Sequence, residues 1–308
     1  MIGVVGVVAP AGPASPAQVA QVPALYARHG WPVKLFPSCH ARHPQHAFLA
    51  GDDALRLADL HAAYADPEIS VIHCLRGGYG CARLLPHIDR ALIAAHPKPL
   101  IGYSDITALH ALLFTLGQVG VHAPMPASDL LHDDAGPDAD ALFALLRGGL
   151  RAGAVLAPAL QPTRLPRVPG VARGRLAGGN LAVLASLIGT PFMPELHGTL
   201  LFIEDIGEDP YRVDRLLGQF EQAGLLDGAR GFLLGSFSEE ADPSAVLAER
   251  LATRGVPLLP GWPAGHGRPN RPLPIGAECT LDAGAGTLTV HAPWPPLASA
   301  RQTVGPAG

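Results

Sequence analysis

Three short stretches hold side chains that could do covalent chemistry. The first is Lys98-Pro-Leu-Ile-Gly-Tyr-Ser-Asp-Ile-Thr107. Pro99–Tyr103 is short, apolar and β-prone, and it reads as a buried parallel strand. Ile106–Leu116 carries apolar residues at helical spacing and stops at Gly117. Ser104 therefore falls at a strand-to-helix turn, with its hydroxyl at the carboxyl edge of a sheet. Helix-terminal N–H groups lie close behind it and favour developing negative charge. Serine and aspartate are also preferred helix caps, and the stretch by itself favours that role for Ser104 or Asp105.

The second stretch, Thr199-Leu-Leu-Phe-Ile-Glu-Asp-Ile-Gly-Glu-Asp-Pro210, is an apolar strand that runs into carboxylates. A glutamate ending a buried strand costs free energy unless it is paired or half exposed. Glu204 and Asp205 are thus functional candidates, with a solvated turn as the alternative, while Asp209 reads as a helix cap. The third is Gly265-His-Gly-Arg-Pro-Asn-Arg-Pro-Leu-Pro-Ile-Gly276. Glycines on both sides let His266 approach another segment closely, a weak signal in a chain with 14 histidines.

Two further clusters carry less. Cys39-His-Ala-Arg-His-Pro-Gln-His46 fits no closed zinc spacing, Pro44 breaks any helix that would align its ligands, and it reads as an exposed loop. Arg76-Gly-Gly-Tyr-Gly80 lacks the lysine and hydroxyl of a P-loop and the spacing of a dinucleotide fingerprint. It reads as a loop of close approach that offers backbone N–H groups.

Composition narrows the class. Of 308 residues, 48% are hydrophobic and 16% charged, with net charge −4, so a large core is available. No basic stripe points to nucleic acid, and the apolar start, Met1–Pro10, has no positive n-region and is too short to span a bilayer. Four unpaired-looking cysteines, Cys39, Cys74, Cys81 and Cys279, fit a reducing, cytoplasmic compartment.

The elements that must position these residues alternate in the first half. Strands are expected at Ile2–Ala9, Val33–Phe36, Val71–Leu75 and Gln118–His122, besides the one before Ser104. Helices are expected at Ala17–Arg28 (weakened by Pro23), Asp53–Ala65, Ala82–Ile88 and Asp140–Arg147. This pattern argues for a parallel sheet covered on both faces, with ligands outside the carboxyl ends of its strands. Arg76–Gly80 and Ser104 both fall there. We divide the chain into an α/β domain at 1–150, a proline-rich linker at 151–173 and a mixed α/β domain at 174–308. The last holds helices at Ala182–Ile188, Val213–Ala223 and Ala245–Arg254, strands at Thr199–Ile203 and Gly231–Leu234, and a hairpin around Ala283–Gly286. Its tail, Arg301–Gly308, is expected to fray.

Together these pieces resemble the LD-carboxypeptidase family, the muramoyl-tetrapeptide carboxypeptidases of murein recycling. In the first half the match rests on Ala9-Pro10, Phe48-Leu-Ala-Gly51 with Arg56, Arg76–Gly80 with Arg83-Leu-Leu85, and Gly102-Tyr-Ser-Asp105. In the second half it rests on Gly178-Gly-Asn-Leu181, Ser186–Pro191, Glu204-Asp205 with Arg212 and Arg215, Leu234-Gly-Ser-Phe237, and Gly265-His266 with Leu273–Gly276. The match runs in order along nearly the whole chain.

The resemblance implies a flavodoxin-like, class I glutamine amidotransferase-like parallel-sheet domain followed by a mixed β/α domain. It implies a triad split between them: Ser104 as nucleophile, His266 as general base and Glu204 as orienting carboxylate. A serine hydroxyl needs an adjacent imidazole to take its proton, and that imidazole needs an acceptor on its other nitrogen. The oxyanion is expected to meet backbone N–H groups of Asp105 and of Gly77 or Gly78. Asn180, Arg76 and Arg212 are expected as substrate contacts, with a structural ion pair as the alternative for Arg76. The implied reaction releases terminal D-alanine from a murein tetrapeptide or muropeptide, by a homodimer, without metal or cofactor, nucleic acid or membrane.

Two departures stand out. Ile106 replaces the glycine of a G-x-S-x-G elbow, and His122-Ala-Pro-Met125 has alanine where relatives tend to have glycine. Two other readings stay open: an immunity hydrolase of the same family that cleaves antibiotic aminoacyl-nucleotide amides, and a non-catalytic small-molecule binding protein.

Overall fold

Five apolar runs of the first half become parallel strands: β1 (Val4–Val8), β2 (Val33–Leu35), β3 (Ile69–Cys74), β4 (Leu100–Gly102) and β5 (Gly120–His122). The computed structural model describes residues 3–238 and 242–291, so the tail at 301–308 lies outside the described residues. The strands lie in the order β2-β1-β3-β4-β5, the flavodoxin-type doubly wound order expected for this half. Alternate side chains serve opposite faces. Val5, Val7 and Val71 pack under the helices Pro16–Arg28 and Gly136–Gly148, whereas Val8, Ile72 and Leu100 pack under Asp53–Ala65 and Thr107–Thr115. Ser15 and Gln18 form a capping box on the first helix, which runs through Pro23. Asp52 caps Asp53–Ala65 through the Leu55 N–H at 2.7 Å.

The second half supplies β6 (Ala154–Leu156), β7 (Val171–Asn180), β8 (Leu200–Ile206), β9 (Gly231–Ser238), β10 (Leu258–Leu259), β11 (Leu273–Ile275), β12 (Glu278–Asp282) and β13 (Thr287–Val290). Seven of these form a mixed sheet in the order β10-β9-β8-β7-β12-β13-β6, parallel through β7–β10 and antiparallel beyond. β12 and β13 are the expected hairpin. Strand β6 lies within the proline-rich 151–173 segment, where three residues on a sheet edge leave no pattern to read. The short helix Arg90–Ala95, capped by Asp89, is likewise unannounced by periodicity.

Strand β11 crosses between the halves. It joins the first sheet antiparallel to β5, with Leu273 opposite His122, so that sheet is not purely parallel. Pro274 cannot donate to a ladder, and it is tolerated because β11 is the edge strand. Other links bind the halves as well. Arg175 on β7 donates to the carbonyls of Phe114 (3.1 Å) and Gly276 (3.0 Å) and lies 3.8 Å over the Phe114 ring. The Asn180 N–H donates to Thr107 Oγ1 at 2.9 Å. Among the described residues, no helix is long and apolar enough to cross a membrane.

Arg56 is wholly buried in the first half. Its Nη1 donates to the carbonyls of Pro10 and Gly80, and its Nη2 pairs with Asp53. One guanidinium thus joins the loop after β1 to the glycine-rich loop after β3. Arg56→Met strands both carbonyls, and the expected loss is about 2–4 kcal/mol of stability. Urea denaturation measures it, and an unchanged midpoint would refute this role.

Candidate active site

Ser104 follows β4 at the carboxyl edge of the first sheet and begins a 3₁₀ turn, Ser104–Ile106, that leads into Thr107–Thr115. Its φ is +62°, the only positive value at a non-glycine among the described residues. A left-handed serine costs about 1–2 kcal/mol, so the surrounding packing holds it there. The turn lifts Ser104 out of the sheet edge, partly exposed, while its neighbours Tyr103 and Asp105 stay buried. Ser104 does not act as a cap. Asp105 does, but for a different helix: its carboxylate accepts from the Cys81 N–H at 2.8 Å, at the start of Cys81–Leu84. Burial pushes the Asp105 carboxyl up from its usual pKa, against the pull of that hydrogen bond.

Gly77 lies directly against Ser104. A Cβ there would fall 2.9 Å from Ser104 Cβ and 3.1 Å from its Oγ, so only glycine permits this approach. Gly78 follows with φ +111°, beside the backbone of Gly12. Arg76, half buried, donates from Nη1 to the Pro13 carbonyl at 3.1 Å and, among the described residues, makes no carboxylate pair.

Glu204 is carried by β8, opposite Asn180, and its side chain has no exposed surface. The pairing with β9 slips at this point: Ile203 faces Leu234 but Asp205 faces Phe237, leaving Gly235 and Ser236 opposite Glu204. Such a bulge re-aims a side chain. Glu204 Oε2 accepts from His266 Nδ1 at 2.8 Å and from the His266 backbone N–H at 3.2 Å. A Cβ on Gly265 would sit 2.5 Å from that same oxygen, which explains the glycine before the histidine.

A carboxylate can only accept, so Nδ1 carries the imidazole proton and Nε2 presents a lone pair. Burial pulls the imidazole pKa down, but the charge and hydrogen bond of Glu204, with Asp205 and Asp129 behind them, outweigh it, and the net shift is upward from 6.5. Asp205 is itself pushed up to about 6, chiefly by burial. It accepts from Asn180 Nδ2 (2.8 Å) and the Ala182 N–H (2.9 Å).

The His266 loop is docked on both halves. Gly267 N–H donates to Ser236 Oγ at 2.8 Å, Arg268 pairs with Asp134, and Asn270 N–H donates to Asp138 at 3.2 Å. Because Leu273 faces His122 and His122 faces Gly102, the loop enters the first sheet two strands from β4, roughly 10 Å away. It therefore arrives at the carboxyl edge beside Ser104. The His266 ring lies against Tyr103, the residue before Ser104, with ring centroids 4.9 Å apart and planes at 62°. Among the described residues, no hydrogen bond joins Ser104 Oγ to His266 in this conformation. A cavity of about 770 Å³ opens against the same loop, lined in part by Ser236, Trp262, Gly267 and Arg268.

The structure thus brings Ser104, Gly77, Gly78, Asp105, Glu204 and His266 to one edge. It places two expected substrate contacts in other company. Asn180 is buried, with its amide spent on Asp205 and on the Val183 N–H as the cap of Leu181–Ser186. Arg212 is half exposed and pairs with Glu208 (3.8 Å) and Asp209 (3.9 Å). Cys39 lies in the core, donating to the Val7 carbonyl, while His43 Nδ1 accepts from the Gln45 and His46 N–H groups. All four cysteines are free and buried. Among the described residues, no group of three or more His, Cys, Asp or Glu is placed to hold a metal. Sequence reasoning missed Tyr103 and Asp129, which flank His266 through a bond of Tyr103 OH to Asp129 at 2.8 Å. The aromatic residue beside Ser104 was the available signal.

Residues 5–123 match the LD-carboxypeptidase N-terminal domain and residues 173–281 the LD-carboxypeptidase C-terminal domain. The chain is 39% identical over 258 residues to a probable murein peptide carboxypeptidase of Bacillus subtilis, covering 80% of each chain. It is 36% identical over 249 residues to a murein tetrapeptide carboxypeptidase of Pseudomonas aeruginosa, covering 77% of this chain and 80% of that one. A solved muramoyltetrapeptide carboxypeptidase from Oxalobacter formigenes superposes with a TM-score of 0.83 at 29% identity, over 94% of this chain and 99% of that one. The fold is also that of the microcin C7 self-immunity protein MccF, at a TM-score of 0.85 and 22% identity, covering 96% of this chain and 97% of that one. With both of its domain patterns present in order, the chain belongs to the LD-carboxypeptidase family.

Proposed function

We propose that the protein is a serine-type LD-carboxypeptidase that releases the terminal D-alanine from a murein tetrapeptide. The observation that carries this reading is the Glu204–His266 bond, with the imidazole packed on the residue next to a left-handed serine. Relatives named for murein tetrapeptides supply the substrate class. The free, buried cysteines suit a cytoplasmic enzyme acting on recycled wall peptides, and a homodimer is the expected assembly.

In this mechanism Ser104 Oγ attacks the carbonyl carbon of the scissile amide and its proton passes to His266 Nε2. Substrate binding brings the two atoms into hydrogen-bond reach, a step that free enzymes commonly leave open. Glu204 holds the imidazolium that forms. The oxyanion is met by the N–H of Asp105 and by an N–H of Gly77 or Gly78, each such donor contributing about 3 kcal/mol. His266 then gives its proton to the departing D-alanine nitrogen, and water, deprotonated by the same imidazole, releases the acyl group from Ser104. Arg76, which spends one N–H on Pro13, has the rest of its guanidinium for the terminal carboxylate.

Incubation with murein tetrapeptide, followed by mass, is expected to show loss of D-alanine. Ser104→Ala should lower the rate roughly ten-thousand-fold or more. Cleavage of an aminoacyl-nucleotide amide and not of the tetrapeptide would overturn the assignment, as would inertness toward both. The base works only when neutral, and its pKa lies above 6.5. Thus kcat/KM is expected to fall as pH drops through that raised value; an acid limb centred below 6.5 would contradict it. Gly77→Ala pushes on Ser104 Cβ, and the expected result is a drop in kcat of about 10- to 100-fold with little change in KM. Wild-type kcat in that variant would rule out the close approach as a requirement.

A further inference from the structure

Tyr103 is gripped at both ends. Its backbone continues β4 in extended conformation into Ser104, and its ring is almost wholly buried. Its hydroxyl donates to Asp129 Oδ1 at 2.8 Å, and the other oxygen of Asp129 accepts from the Met125 N–H at 2.8 Å. Between these anchors the ring meets His266 at 4.9 Å and His122 at 5.5 Å.

The imidazole needs such a wall. A single hydrogen bond from Nδ1 to Glu204 fixes one atom of the ring and leaves the ring free to tilt about it. An aromatic ring at 62° to the imidazole, joined by one peptide bond to the nucleophile, removes that freedom and ties the base to Ser104 itself. Edge-to-face pairs of this kind are worth about 0.5–1.5 kcal/mol, enough to select one ring orientation.

Asp129 adds charge. It is a carboxylate close to the imidazole besides Glu204 and Asp205 on β8, and Arg268 of the His266 loop, which pairs with Asp134, faces Asp129. His122 on β5, a further titratable neighbour, is held neutral by burial.

We infer that Tyr103 and Asp129 are positioning residues for the general base: the phenol ring sets the plane of the His266 imidazole relative to Ser104, and the Asp129 carboxylate favours the imidazolium that forms during attack. This rests on the triad reading above, and it extends the site by two side chains that act through His266.

The test uses Tyr103→Phe, Tyr103→Leu and Asp129→Asn in the full chain. Asparagine removes the charge and keeps an acceptor for the Met125 N–H, but it turns an amide Nδ2 toward the Tyr103 hydroxyl; Tyr103→Phe, which deletes that hydrogen bond and keeps the charge, is the control for its loss. Tyr103→Leu is expected to lower kcat on murein tetrapeptide by about 10- to 100-fold, with KM within about twofold. Tyr103→Phe keeps the ring and should lose less than about fivefold. Asp129→Asn should move the acid limb of kcat/KM, and the His266 pKa followed by NMR in the free protein, downward by about half a unit. Equal losses in the Phe and Leu variants, or an unmoved His266 titration in Asp129→Asn, would overturn the inference. Should Tyr103→Leu fail to fold, the NMR titrations of the other two variants decide. If the wild type releases no D-alanine, the substrate reading fails while the NMR shift still tests the positioning role.

Discussion

A carboxylate with no exposed surface sits near the end of a buried strand, and the arrangement around it depends on how that charge is met. Glu204 is answered by one residue, through a ring nitrogen and a backbone N–H of His266. Its second oxygen is buried without a partner among the described residues. Removing either side of such a pair is costly, because the charge left behind has neither water nor a counter-group. The bulge in β9, the glycine at 265 and the docking of the 265–271 loop all serve to bring these two residues within 2.8 Å.

The price of that pairing is geometric: the loop must cross from one sheet to the other. Strand β11 does this by adding an antiparallel edge to the first sheet immediately after the loop. The same stretch of chain that carries His266 is thereby hydrogen-bonded to β5, the neighbour of the strand that precedes Ser104. Arg175, Thr107 and Arg268 reinforce the join from other directions. A site split between halves stays assembled only if the halves cannot slide, and here the crossing strand and the polar links between the halves oppose sliding.

Around the serine the logic is steric instead. A positive φ at Ser104 and the close approach of Gly77 are mutually dependent, since any side chain at 77 would press on Cβ of the serine. Arg56 holds the glycine-rich loop in place from below by tying it to the loop after β1. Asp105, Asn180 and Asp205 then turn out to be caps and braces whose polar atoms satisfy helix starts at the same edge. Buried polar groups are costly unless satisfied, and for these three residues the fold uses local N–H groups to do it.

Several features could be read from the chain alone because they depend on near neighbours. Helix Asp53–Ala65 with its Asp52 cap, the β12–β13 hairpin and the strand–turn–helix around Ser104 follow from period, capping residues and glycine stops. Strands β6 and β11 could not be read, being three residues each and held by partners more than a hundred residues distant. The three proposed reactive side chains were visible to local reasoning as types only, since a serine before a helix, a glutamate at a strand end and a histidine between glycines each have ordinary explanations; the family resemblance, and not their spacing, grouped them. Asn180 shows the converse, since a position matching the family pattern is placed here in a helix cap. What the sequence by itself determined was the set of elements and the residue types at their ends. Which ends meet was decided by the tertiary structure, because Glu204 can keep its charge only where the crossing loop delivers His266, a contact over 62 residues that no local pattern encodes.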